Sequence, residues 1–234
     1  MQKKRLEKLE TLAEAFGDLR KKVVFSGGML TALYANDENP AEHRSLGEIE
    51  CIVDAPTMAE FYYWHEHLLS LGFTPKYDPH PPVTEWEYQD ISLDVFPLNP
   101  EIVRYENRWF AEAVFHANSY QLPSGHKIRL MQASYFLATR IEIFLHEGHF
   151  RLKQSKDFED IIYLLDNRPS LGEEISASFY EVRGYIQDFF ARLLKHPDLD
   201  EGLHFALPFH SGSQGTEKIK TIMASIVEEA YSLA

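Results

Sequence analysis

The 234-residue sequence contains one cysteine, Cys51. A single thiol excludes an internal disulfide and any metal site built from several cysteines. Long apolar runs are missing too: no stretch approaches the roughly 20 residues needed to cross a bilayer. The opening MQKKRLEKLETLAEAF is basic but has no apolar core of a signal peptide, so a cytoplasmic protein is expected. Positive charge is scarce. Lys and Arg total 23 against 36 Asp and Glu, a formal net charge of -13. A broad basic face for duplex DNA is therefore not expected, and a local basic pocket for a phosphate or an RNA end is the most this balance allows. There is no low-complexity tract and no internal repeat.

What is present is ordinary globular composition, 44% hydrophobic and 25% charged. A chain of this size supports one large domain or two modest ones. Leu6, Leu9, Leu12, Ala13 and Phe16 recur at helical spacing over 3–20. A strand over 22–26 stops at Gly27-Gly28, a helix is expected over 29–34, and ANDENPAEH reads as a polar loop. Residues 48–53 read as a strand and 57–71 as a helix stopped by Gly72. Hairpins are expected over 83–96, turning at Gln89-Asp90, and around Ser124-Gly125. From Gln132 the pattern changes to long helices, over 134–147, 155–165, 171–194 and 216–233, with SGSQG at 211–215 as a flexible joint. Strands first and helices second predict an α+β chain: an α/β-type domain over 1–130 and a helical domain over 131–234.

Three features carry candidate chemistry. Glu48 and Glu50 lie two apart on a strand and so share one face, with Ile49 turned into a core. Asp94, in ISLDVFP, sits on a strand able to pair nearby. Converging carboxylates repel each other unless cations lie between them, and two Mg²⁺ ions held there would activate a hydroxyl. The plainer alternative is a solvated strand face. The second feature is FSGGML, Ser26 to Gly27-Gly28, where a glycine turn entering a helix lets backbone N–H groups approach a phosphate. The third is FRLKQSKDFEDI. Its Asp157 and Asp160 share a helix face beside Lys156, and the plainer reading is Ser155 as N-cap with acids in the first turn.

Two histidine pairs do not have ligand spacing. His146 and His149 in HEGH are i, i+3 rather than the i, i+4 of zinc-binding helices, and His65 and His67 are i, i+2. All four read as surface histidines.

Taken in order, these segments resemble the nucleotidyltransferase superfamily, specifically the AbiEii/AbiGii-type toxin nucleotidyltransferases. That family has a Gly-Gly turn, then Arg-x-Thr-x-Asp-hydrophobic-Asp, then a third acid on a strand. The matching segments are Gly27-Gly28, RSLGEIE from Arg44 to Glu50, and Asp94 in LDVFP followed by NRWFAEA. YFLATRIEIF and SKDFEDIIYLL match the family's later helices. The similarity runs over about 23–175. Glu48 and Glu50 stand where the family has aspartates, Leu46 where it has threonine, and Arg140 where it has lysine.

The resemblance implies a nucleotidyltransferase-type mixed β-sheet with flanking helices and Mg²⁺- or Mn²⁺-dependent transfer of a nucleoside monophosphate from an NTP to a hydroxyl on RNA or protein. Glu48, Glu50 and Asp94 would hold metal, with Asp94 as base. Ser26, Gly27, Gly28, Arg44, Arg140, Lys156, Asp157 and Asp160 would bind nucleotide. It also implies a toxin of a toxin–antitoxin or phage-defence pair, with an antitoxin as partner. Two other readings stand beside it: a catalytically degenerate protein of the same fold that binds a nucleotide or a partner, and an interaction protein whose acidic face meets a basic partner.

Overall fold

The structure is a computed structural model that describes residues 2–34, 49–77, 83–99, 107–148, 151–208 and 211–232. Glu48, Arg44, Leu46, His149 and the polar loop after Ala35 lie outside the described residues. The chain divides into two compact units: Met1–Leu30 with Glu42–Gln132, and Thr31–Ala41 with Ala133–Ala234.

The first unit opens with α1 (Gln2–Ala15), whose Leu9, Leu12 and Ala13 are fully buried. The sequence periodicity continues to residue 20, but the helix does not. Gly17 takes a positive φ of 53°, and a 3₁₀ turn, Gly17–Lys21, replaces the last turn. Next come β1 (Val23–Ser26), a 3₁₀ turn at Gly28–Leu30, and α2 (Thr31–Tyr34), which belongs to the second unit. The helix after the glycines is thus only one turn long, and its dipole adds little. β2 (Ile49–Val53) follows, then α3 (Met58–Ser70). α3 starts with a capping box: the Glu60 N–H donates to Thr57 Oγ1 at 3.3 Å and Thr57 N–H donates to Glu60 Oε2 at 2.9 Å.

Then come β3 (Thr74–Pro75), β4 (Glu85–Tyr88), β5 (Ile91–Pro97), α4 (Phe110–Phe115), β6 (Asn118–Gln121) and β7 (Lys127–Leu130). Both expected hairpins form. Tyr88 pairs with Ile91 across Gln89-Asp90, with Gln89 at φ 53°. Gln121 pairs with Lys127 across a turn in which the Gly125 N–H donates to the Leu122 carbonyl at 2.8 Å. Among the described residues the strands make one seven-stranded mixed sheet, ordered β3-β4-β5-β2-β1-β7-β6. β1 is antiparallel to β2 and parallel to β7, and β2 is parallel to β5.

One sheet face is uniformly apolar. Phe25, Ile49, Cys51, Val53, Leu93, Val95 and Trp86 alternate onto it and are fully buried. α1 and α3 cover it. Phe16 meets Phe25 edge-on at 5.8 Å, and His65 meets Trp86 at 4.8 Å. Each such side chain contributes about 1.5–3 kcal/mol on leaving water. His65 is therefore a core histidine, only 2% exposed, and not the surface residue its spacing suggested. The opposite face is mixed. α4 covers part of it, with Phe110 stacked on Phe96 at 5.8 Å.

The second unit is helical: α5 (Ala133–Gly148), α6 (Lys156–Asn167), α7 (Leu171–Ser176), α8 (Tyr180–Leu193), α9 (Leu199–Ala206) and α10 (Gly212–Ser232). Phe144 of α5 contacts Phe158 of α6 at 5.6 Å and Phe189 of α8 at 6.0 Å. Gln187 ties α8 to α10 by donating to the Ile226 carbonyl at 3.0 Å. Tyr34 of α2 stacks on Phe136 at 4.7 Å, and Arg168 donates to its carbonyl, which is why this segment belongs here.

The helix expected over 171–194 is two helices. Ser178 Oγ donates back to the Glu174 carbonyl at 2.7 Å, and Phe179 turns extended at ψ 141°. The SGSQG joint is not a joint: from Gly212 it forms the first turn of α10. Burial of Thr216, Ile219, Met223 and Ile226 along that helix outweighs the poor propensity of its start.

Candidate functional site

Strand register builds the site. Ser26 pairs with Glu50, Glu50 with Asp94, and Asp94 with Glu85. Directly opposed residues point to the same side of a sheet, about 4.8 Å apart between backbones. Four neighbouring strands therefore present one row, Ser26, Glu50, Asp94 and Glu85, on the mixed face. Ser26 is buried, and its hydroxyl donates to Met131 Sδ at 3.6 Å. The three carboxylate residues are half-buried. Lys76 stands 3.9 Å from Glu85, which gives that acid its own cation.

Gly27 follows Ser26 at φ 102°, a conformation that L side chains rarely adopt. Its carbonyl accepts from the Leu30 N–H at 2.9 Å, closing the turn over Gly28. The turn thus sits at the end of the strand that carries Ser26, beside the acidic row.

The charge of the row reaches through the sheet. Cys51 is completely buried on the apolar face. Burial pushes its thiol pKa well above the ordinary value, and the negative charges of Asp94 and Glu50 push it further. Among the described residues no group of three or more His, Cys, Asp and Glu side chains is arranged to hold a metal ion. Glu50 and Asp94 offer two hard oxygen donors in register, the ligand type that suits Mg²⁺ or Mn²⁺. Two donors fit such an ion when substrate oxygens and water complete its shell.

In the second unit the structure brings Arg140, Lys156 and Asp157 into one neighbourhood. Arg140 is a buried residue of α5. Its Nη1 lies 3.1 Å from Asp157 Oδ1, and its guanidinium sits 5.1 Å over the Phe136 ring. Ser155 caps α6, accepting from the Phe158 N–H at 3.2 Å. That is the helix-start arrangement weighed as the plainer reading. Asp160, one turn on, is half-buried. A cavity of about 390 Å³ opens beside this turn, lined by Arg151, Lys153, Gln154 and Lys156 around Asp157. Gln154 has φ 68° there, unusual for a residue with a side chain.

A separate cavity of about 620 Å³ lies in the first unit, where Lys22, Tyr63, Trp64, Phe115 and Arg129 meet. No sequence signal pointed to it. Its residues come from a turn, two helices and a strand, and only folding places them together.

The class these features define is an α+β protein whose mixed sheet carries an acidic row beside a glycine turn, joined to a helical unit. No protein-family model and no curated protein matches the sequence. Among solved structures the chain is similar to an antigenic nucleotidyltransferase-like protein from Paracoccidioides brasiliensis, at 15% identity and a TM-score of 0.46, over 86% of this chain and 92% of that one. No described helix is long and apolar enough to cross a membrane.

Proposed function

We propose that the protein is a nucleotidyltransferase that moves a nucleoside monophosphate from an NTP to a hydroxyl acceptor. The observation that supports this is the register of Glu50 and Asp94, two carboxylates opposed on parallel strands, with the Gly27-Gly28 turn at the end of the next strand. In this reading Glu50 and Asp94 hold Mg²⁺ or Mn²⁺, which supplies Lewis-acid stabilisation of phosphate oxygens when bound. Glu48 joins them in the motif that carries the resemblance. The backbone at Gly27 and Gly28 approaches the triphosphate, since neither position has a side chain in the way. Asp94 accepts the proton of the attacking hydroxyl, a carboxylate role that requires hydrogen-bond reach to the acceptor. Ser26 is a positioning residue for the row through its place in β1.

Arg140 is assigned a structural part as the buried partner of Asp157. Lys156 is exposed at the cavity of the helical unit, and a phosphate-binding role for it rests on the motif resemblance alone. RNA or protein as acceptor, and a toxin's place opposite an antitoxin, extend the proposal on the motif resemblance alone.

The test is transfer of label from each α-labelled NTP, with Mg²⁺ or Mn²⁺, to total RNA or to the protein itself. Labelled product that disappears in Asp94→Asn supports the reading. A wild-type protein that binds NTP yet transfers nothing supports the second reading, a degenerate nucleotide-binding protein. One sequence observation favours that second reading: Glu50 stands where the resembling family has the shorter aspartate, and Mg²⁺ tolerates little change in ligand geometry.

A further inference from the structure

The first unit holds a cavity that the acidic row does not use. Val23 pairs with Val53, so Lys22 and Asp54 flank one end of the β1–β2 ladder, and Ser26 and Glu50 mark the other. At about 3.3 Å per strand residue, Asp54 lies roughly 13 Å along β2 from Glu50. The cavity of about 620 Å³ opens at the Lys22–Asp54 end. Its size is within the range of small-molecule sites, about 300–1,000 Å³.

Its walls sort into three chemistries. Lys21, Lys22 and Arg129 are cations, and Lys21 is already paired with Asp18 at 3.0 Å. Arg129 donates one N–H to the Val114 carbonyl at the end of α4, which fixes the guanidinium plane while leaving other donors of its fork. Among the described residues the Lys22 side chain has no ion-pair partner. The second wall is aromatic. Trp64 is nearly buried, whereas Tyr63, packed on His67 at 4.0 Å, is 59% exposed and Phe115, edge-on to His116 at 4.9 Å, is 79% exposed, so both rings keep a face open to the cavity. The third is acidic. Asp54 is exposed at the rim, and Glu60 already accepts from Thr57 N–H and Oγ1 in the capping box.

A simple anion would meet Asp54 as a repulsion. A neutral ring would leave Lys22 and Arg129 unused. We infer that this cavity binds a mononucleotide: its phosphate on Lys22 and Arg129, its base against Tyr63 and Phe115, and its ribose or amino donors toward Asp54. Each interaction is of a strong kind: charge-assisted hydrogen bonds to phosphate and base–aromatic stacking of about 1–3 kcal/mol. The site does not depend on the nucleotidyl-transfer reading, because it uses none of its residues and needs no metal.

The experiment is calorimetry of the full chain with AMP, GMP, CMP and UMP in magnesium-free buffer with chelator. Adenosine and inorganic phosphate are the controls. At least one mononucleotide is expected to bind, with Kd raised about tenfold or more by Lys22→Ala and by Phe115→Ala. Asp94→Asn is expected to leave that Kd unchanged. No binding at about 5 mM, a Kd weaker than roughly −3 kcal/mol of affinity, overturns the inference. So does adenosine or phosphate binding as tightly as the mononucleotide. Loss of binding in Asp94→Asn with none in Lys22→Ala moves the ligand to the acidic row and overturns it as well. Circular dichroism on each variant separates lost binding from lost fold, and Tyr63→Ala serves if Phe115→Ala does not fold.

Discussion

Glu50 and Asp94 stand in direct register on the parallel strands β2 and β5, with half-buried carboxylates on the same face. Like charges at this separation raise the free energy of the folded state, so removing one relieves repulsion. Asp94→Asn is expected to abolish nucleotidyl transfer while leaving the thermal midpoint level or higher. A lower midpoint, read by calorimetry, would mark Asp94 as a structural acid instead.

Arg140 and Asp157 form an ion pair whose side chains are only 7% and 15% exposed. Breaking one partner of a buried pair strands the other charge. Arg140→Met is expected to cost about 3–5 kcal/mol, with the Arg140→Met, Asp157→Leu double variant recovering most of it. Urea unfolding of Arg140→Met, Asp157→Leu and the double variant measures both numbers. Single variants within about 0.5 kcal/mol of wild type would contradict the structural part assigned to Arg140.

Two helical glycines should respond in opposite directions. A Cβ on Gly202 of α9 would stand 2.5 Å from Leu152 Cβ, whereas one on Gly184 of α8 would meet nothing within 4 Å. Gly202→Ala is expected to destabilise by about 1–3 kcal/mol through overpacking. Gly184→Ala is expected to stabilise by about 0.4–1 kcal/mol through loss of unfolded-chain entropy. Denaturant midpoints decide, and a shared sign would refute the contrast.

Cys51 gives a pH dependence whose sign is fixed. Its folded pKa lies above its unfolded one, so at alkaline pH the unfolded chain releases a proton that the folded chain keeps. Stability is unaffected below the unfolded thiol's pKa, about 8.5, and falls as pH rises past it. Cys51→Ala should flatten that decline, whatever it costs in packing. The native thiol should also resist an aromatic disulfide reagent until denaturant is added, so fast labelling of the folded protein would show that the buried placement is wrong.

The elements legible in the sequence were those with a local signature. The helix stop at Gly72, the strand through ISLDVFP, and the turns at Gln89-Asp90 and Ser124-Gly125 each announce themselves within a few residues. So does the parity that puts Glu50 and Ile49 on opposite faces, and pairing of Glu50 with Asp94 then followed from the sheet. What was not legible depends on distant contacts. His65 looks polar until Trp86 covers it. α9 is short and carries Gly202 where Leu152 leaves no room for a side chain, so its pattern reads as loop. The break at Phe179 lies in its extended backbone, ψ 141°, beside a serine hydroxyl turned back on the Glu174 carbonyl, and no glycine or proline marks it. The Lys22–Arg129 cavity has no sequence signature at all, since its walls are assembled from four separate elements.

The assignment of α2 to the helical unit bears on how the chain can be divided. Thr31–Tyr34 lies between two strands of one sheet yet places its ring on Phe136 and its carbonyl on Arg168. No single scission separates the units. A fragment starting near residue 131 would lose an aromatic lid and an acceptor for a guanidinium at once. Independent expression of the helical half is therefore expected to need Thr31–Tyr34 grafted back.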